Sequence, residues 1–387
     1  MRTGAQRGLG RLGARTAAAL ILLAVFTVGL GRGFATRTAR AARLPADTSF
    51  ADLVARLSEE PGYFDSDNLI SNESSYLHAV SKLRALGSSG GAYIGVGPDQ
   101  NFSYIAALRP NVAFIVDIRR ENLLLHLFFK ALFQRSRNRL EYLLLWMGRP
   151  VPPDVAAWSD SSIEALVARV DSSRPDSSGA ASVTDSLLAL IESYGVPISS
   201  ADRLTLRRFH AAFMATGLDM RYSSIGRAPR PYYPTLRRLI LERDLEGNQA
   251  NYLASREAWE YVKWMQAQNR VIPVVGDLAG PRALAAIGRE IAARGEVISA
   301  FYVSNVEMYL WRDGGFDRYA QSLTALPRNA RSVIVRSVFS GGFGVPHRLQ
   351  LQGHASTQLV QPLEDFVDRW RQRRWLSYWD LVTQGNR

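Results

Sequence analysis

Residues Gly90–Asp117 read GGAYIGVGPDQNFSYIAALRPNVAFIVD, and this stretch decides the fold. Ala92–Val96 is a short, continuous apolar run after a glycine break, the pattern of a strand buried on both faces. Gly97-Pro98-Asp99 reads as a turn, and Asp99 or Asn101 can cap a helix running to about Leu108. Arg109-Pro110-Asn111 stops that helix. Val112–Val116 is a second buried strand ending at Asp117, and Glu121–Phe133 is an apolar helix packed on more than one side. Strand, helix, strand, helix with short loops predicts a parallel sheet covered on both faces.

Upstream, residues 47–60 predict an amphipathic helix capped by Asp47 or Ser49 and ended by Pro61-Gly62. Residues 65–86 open with a polar turn and continue as a helix through Tyr76, Leu77, Val80 and Leu83. Downstream, the alternation stops. Residues 150–268 read as helical, with a Ser-, Asp- and Gly-rich loop at 171–186 and a proline-rich hinge at 228–234. Sheet character returns at Val271–Val275, Val297–Val303 and Ser332–Val335. Pro281 is expected in the first turn of a helix that ends near Ala293. Apolar runs at 345–351 and a helix at 359–374 would finish the sheet. The expected architecture is therefore α/β, a doubly wound, mostly parallel sheet. It divides into 44–149 and 269–387 around a helical insertion at 150–268.

Composition narrows the function. The chain has no cysteine, which excludes disulfides, thiolate zinc sites and cysteine nucleophiles. Its five histidines show neither an i, i+4 pair nor an H-E-x-x-H spacing, so no metal site is expected. No P-loop sequence occurs. The formal net charge is +12, but residues 1–43 hold eight arginines and no acid, leaving +4 on the remaining 344 residues. A charge so diluted is no polyanion-binding stripe, and no nucleic-acid partner is expected. The arginines of the insertion read as a solvated helix face. The tail Arg369–Trp379 (RWRQRRWLSYW) reads as a terminal amphipathic helix, with peripheral membrane contact as the sharper alternative.

Residues 1–43 have the three-part layout of a secretory signal. Arg2, Arg7, Arg11 and Arg15 precede an apolar run at Ala17–Gly31, and small residues follow. Fifteen residues rise about 22 Å as a helix, short of a bilayer core of about 30 Å. A cleaved signal is favoured over an anchor. Either places the chain in the cell envelope, with membrane contact through the N-terminal segment.

The turn carries the chemistry. Gly95 and Gly97 let main chain turn sharply and approach a ligand closely. Asp117, 22 residues after Gly95, stands where an acid accepts hydrogen bonds from ribose hydroxyls. Two details oppose a dinucleotide, and with it a nicotinamide oxidoreductase. Gln100 replaces the third glycine of the fingerprint, and the Asp99 carboxylate competes with phosphates for the same backbone N–H groups. A ligand with ribose, no phosphate and a cationic centre suits the turn better.

Through Ala92–Asp99 (AYIGVGPD), Val112–Asp117 (VAFIVD) and Val274–Asp277 (VVGD), the chain resembles the S-adenosylmethionine-dependent methyltransferase superfamily. More narrowly, the block YIGVGPDQNFSYIAALRPNVAFIVDIRRENLL resembles an uncharacterised bacterial family. The resemblance covers residues 65–135 and 270–340 and implies a methyltransferase-like Rossmann fold that binds S-adenosylmethionine. Gly95, Gly97 and Asp99 would form the turn beside its methionine portion. Asp117 would hold the ribose, and Asp277 would lie beside the adenine. The loop after the fourth strand, Ser304–Tyr309, would offer Asn305 and Glu307 as catalytic groups, although it lacks the Asn-Pro-Pro-Tyr arrangement of amino-methylating enzymes. Asn68, Asn72 and Glu73 would close over the ligand. Tyr93 departs from the pattern, since an acid usually stands two residues before the first glycine. The implied activity is methyl transfer to a small-molecule or protein acceptor that no residue identifies. Export would remove such an enzyme from cytoplasmic S-adenosylmethionine. The alternative is therefore a non-catalytic envelope binding or scaffold protein with a degenerate fold.

Overall fold

The computed structural model describes residues 49–66, 68–174, 177–339 and 346–384, and the leader reading lies outside them. The glycine-flanked apolar runs form the centre of the sheet. Strands are β1 (Ala92–Gly95), β2 (Val112–Asp117), β3 (Val271–Val275), β4 (Ile298–Ser304), β5 (Val333–Phe339) and β6 (Ser356–Pro362). Their order is β3-β2-β1-β4-β5-β6. All pairs are parallel except β5 with β6. The chain is thus α/β, with a mostly parallel sheet in the strand order of doubly wound folds. Every residue of β1, β2 and β3 is buried, as continuous apolar runs require when helices cover both faces. Pro273 is tolerated because β3 is an edge strand. Helix α1 (Phe50–Leu57), capped by Ser49, packs on β3. The residues after it cover that edge: Ser58 Oγ accepts the Val275 N–H, and Glu59 N–H donates to Val275 O.

A 3-10 turn at Tyr76–Ala79 leads into α2 (Val80–Ala85), and α3 (Gln100–Leu108) follows β1. Helix α4 (Arg120–Arg135) has twelve buried residues, from Asn122 to Phe133. It packs on β2 and β3 and also receives the helical region, which explains its apolar character all round. That region contains α5 (Arg139–Trp146), α6 (Ile163–Ser172), α7 (Ser177–Ser193), α8 (Ser200–Thr216), α9 (Leu236–Leu241) and α10 (Arg256–Ala267). After β3 come α11 (Ala283–Ala293), then α12 (Val306–Arg312), α13 (Phe316–Thr324), α14 (Leu363–Arg371) and α15 (Tyr378–Thr383).

Four local expectations are corrected. The Ser-rich stretch at 171–186 is mainly helix, ending α6 and starting α7. The buried residues of α7, Ala180, Thr184, Leu187, Leu188 and Ile191, recur at helical spacing, and that stripe overrides the loop-like composition. Pro281 lies outside α11, which begins at Ala283 because the Glu59 carboxylate accepts the Arg282 and Ala283 N–H groups. The last strand is β6 rather than 345–351. Its buried Thr357 and Gln361 are polar, so no apolar run marks it. The tail is two helices, because α14 stops at Arg371 and Arg373 turns left-handed at φ +51°.

Candidate functional site

In a sheet of this order, ligands bind outside the carboxyl ends of the strands, where the chain direction of successive crossovers reverses. Here that point lies between β1 and β4. The turn after β1 has the predicted backbone, with Gly97 at φ +86°. Its carbonyls face the chain's own side chains. Asn101 is fully buried, and its Nδ2 donates to the carbonyls of Val96 (3.0 Å), Gly97 (3.2 Å) and Pro98 (2.8 Å). Asn101 Oδ1 accepts from Tyr93 Oη at 2.8 Å. Gly95 is required because a Cβ there would collide with that amide oxygen. His126 adds a contact from α4, with Nε2 2.8 Å from Gly97 O. Burial pushes its pKa down to about 4, so the ring is neutral and donates through Nε2. Its buried Nδ1 has no partner.

Asp117 ends β2 next to this turn, as the sequence requires. Its carboxylate is clamped by Arg119: Nε and the backbone N–H reach Oδ1 at 3.0 Å, and Nη2 reaches Oδ2 at 2.9 Å. Arg119 is itself buried, and its Nη1 donates to Ser66 O at 2.6 Å. Asp99 makes no side-chain cap to α3. It is 4% exposed, and its Oδ2 lies 3.5 Å from Tyr252 Oη. Burial pushes its carboxyl up to about 7. Asp277 follows β3, half-buried, and accepts the Ala279 N–H at 2.9 Å. The Asp277 N–H is held by Glu59 Oε1 at 2.8 Å. One carboxylate of the chain thus occupies the loop after β3 and the start of α11.

On the other side of the switch point lie Glu73, expected to close over the ligand, and Glu307, expected as a catalytic group. Glu73 is fully buried. It accepts hydrogen bonds from the hydroxyls of Tyr302, Ser304 and Ser337, and Gln358 Nε2 approaches at 3.3 Å. Burial raises its pKa, and the four donors oppose that rise. Glu307 is 1% exposed and forms an ion pair with the fully buried Arg336, with Nε–Oε2 at 2.5 Å. Tyr319 Oη adds a bond to Glu307 at 3.1 Å, and Arg336 Nη1 reaches Gln361 Oε1 at 2.8 Å. Glu307 is therefore a buried anchor of β5 rather than a group facing the crevice. Asn72 and Asn305 are half-buried, and Asn305 stands at the start of α12. Two non-glycine residues near this point are left-handed, Asn68 at φ +50° and Ser304 at φ +53°.

The structure thus brings Gly95, Gly97, Asp99 and Asp117 to one end of the sheet, with Asp277 on the neighbouring loop and Glu73, Asn305 and Glu307 beyond β4. The chain belongs to the family described as domain of unknown function (DUF7790). That family's sequence model matches residues 69–157 and 210–385. The matched segments carry every strand and each of these residues. The unmatched 158–209 hold α6, α7 and the first part of α8. No curated protein matches the chain.

Three residues bond the polar groups of these loops. From the sequence Asn101 reads only as a possible cap of α3 and Arg119 as a surface ion pair, which its burial corrects, while Glu59 is not singled out. Two of them had a signal. Asn101 stands four residues after Gly97, within reach of the turn's carbonyls, and Arg119 stands two after Asp117. Glu59 had none, because its partners are more than 200 residues away. A separate open cavity of about 1090 Å³ lies between the Ala279–Pro281 loop, α12, α13 and the segment after α14. Trp311, Trp370, Trp375, Arg318, Arg371 and Leu376 line it.

Proposed function

We propose that this chain is a non-catalytic binding module of the cell envelope. In this reading it retains a methyltransferase-like Rossmann sheet whose nucleoside crevice is closed by its own side chains. The observation that carries the reading is the bidentate Arg119–Asp117 pair, which uses both oxygens that a ribose would need. Asn101 at the glycine turn and Glu59 at the loop after β3 support it in the same way. A ligand would have to displace three sets of satisfied bonds at once, two of them buried. The binding face is then the open cavity, where indole rings and guanidinium groups converge. That chemistry suits an anionic amphiphile of the envelope.

A second reading keeps the enzyme. The left-handed Asn68 and Ser304 flank the crevice, and residues held in sparsely populated backbone conformations cluster at functional sites. In it, S-adenosylmethionine binds at the turn and gives its methyl group to an acceptor by in-line displacement, with positioning as the main source of rate. Asn72 and Asn305 would be the polar groups at hand, while Glu307 stays with Arg336.

Calorimetry on the full-length chain separates the two. S-adenosylmethionine and its demethylated product should give no heat. Anionic vesicles should give heat that an Arg371→Ala/Arg373→Ala variant loses. Saturable S-adenosylmethionine binding that Asp117→Ala abolishes would overturn the closed-crevice reading in favour of the enzyme.

A further inference from the structure

His78, Glu242 and His354 come from three distant parts of the chain. His78 lies in the 3-10 turn before α2, Glu242 caps the C-terminal end of α9, and His354 stands two residues before β6. One possible ligand atom from each falls within 4.8 Å of the other two, and all three residues are half-buried. The imidazole rings meet edge to face with centroids 4.6 Å apart. Ser74 Oγ lies 3.1 Å from His354 Nδ1, an outer contact of the kind that orients a ligating ring. Glu242 has an oxygen to spare: Oε1 accepts the Arg243 N–H at 3.0 Å, while Oε2 is 3.9 Å from Arg238 Nε, too far for a hydrogen bond. Arg238 is the opposing charge at this place. Its Nη2 donates to Gly353 O at 2.7 Å, and its Nε stays within ion-pair distance of Glu242. The remaining histidines, 126, 210 and 347, each bond a backbone carbonyl in the interior.

We propose that His78, Glu242 and His354 form a binding site for one zinc ion. Two imidazoles and a carboxylate are an established zinc set that leaves a fourth position for water. Around an ion with ligand bonds of about 2.0–2.2 Å the ligand atoms stand roughly 3.5 Å apart, so the three side chains would close in from a spacing of up to 4.8 Å. The ion would tie the 3-10 turn before α2 to the end of α9 and to the segment leading into β6. In a chain without cysteine it takes the cross-linking role that a disulfide plays elsewhere.

The test is calorimetric titration of the chelator-stripped full-length chain with Zn²⁺, repeated with Co²⁺ while visible absorption is recorded. Wild type should bind one Zn²⁺ and give the intense visible bands of four-coordinate Co²⁺. His78→Ala and His354→Ala should each weaken Zn²⁺ binding at least tenfold and lose those bands, with unchanged far-ultraviolet circular dichroism. Glu242→Gln, near in shape to the native residue, provides the same test if either alanine variant fails to fold. Absence of saturable Zn²⁺ binding by wild type would refute the site. So would wild-type affinity in a folded variant.

Discussion

Two polar clusters at the carboxyl end of the sheet are closed in opposite ways. At the turn after β1 and the end of β2 the partners are neighbours in sequence: Asn101 satisfies the carbonyls of residues 96–98, and Arg119 clamps Asp117. On the β4–β6 side they are distant, since Glu73 gathers donors from β4, β5 and β6, and Glu307 meets Arg336. Local closure shapes a turn and costs little chain entropy to form. Distant closure fastens the only antiparallel strand of the sheet to its neighbours, and it forms only once the sheet has assembled.

If that contrast is right, the largest effect belongs to the distant pair. Glu307→Leu alone leaves Arg336 buried with its charge uncompensated, a loss of about 3–5 kcal/mol. Adding Arg336→Met should restore most of it, because a buried pair exchanged for apolar groups is often nearly neutral. Urea unfolding of the two variants reads this out, and a double variant as weak as the single one would break the contrast.

Asp99 gives the next effect. Its folded pKa of about 7 lies above the unfolded value near 3.8, so the folded state keeps the proton longer. Its contribution is favourable below about pH 4 and is lost as pH rises through 7, by no more than about 4 kcal/mol. Asp99→Asn cannot ionise and should lose less stability than wild type between pH 4 and 8. Glu73, whose carboxyl is also raised, is present in both proteins and cancels in the comparison. Equal pH slopes would show that Asp99 is not the buried acid described.

Asn101→Ala should have the smallest effect, about 1–3 kcal/mol in thermal or urea unfolding. It frees three carbonyls, but these face a turn that water can reach once the side chain is gone. A loss matching that of Glu307→Leu would erase the distinction between local and distant closure.

The strands of the β1–β4 core were legible because continuous apolar runs between glycine and proline breaks have few other solutions. Val271–Val275 forms as read, and the others shift by at most a few residues. Strand β6 was hidden because Gln358 and Gln361 spend their amides on Ser337 and Arg336. Helix α7 was hidden because serine, glycine and aspartate dominate its first half, where the buried stripe shows only Ala180 and Thr184 before its leucines begin. Among candidate site residues, Asp117 was placed correctly beside the turn, but its clamp by Arg119 was not foreseen. His78, Glu242 and His354 show no spacing at all, since their meeting is a product of topology.

The order of hydrophobic runs and breakers, by itself, determined the class of fold and the position of the glycine turn, because both are written in the residue pattern of short segments. Whether that turn stands open or closed, where the carboxylates point and which histidines meet were decided only in three dimensions. Those outcomes depend on groups up to 285 residues apart, as between Glu73 and Gln358. Burial then makes each polar group take whatever partner the packed sheet delivers.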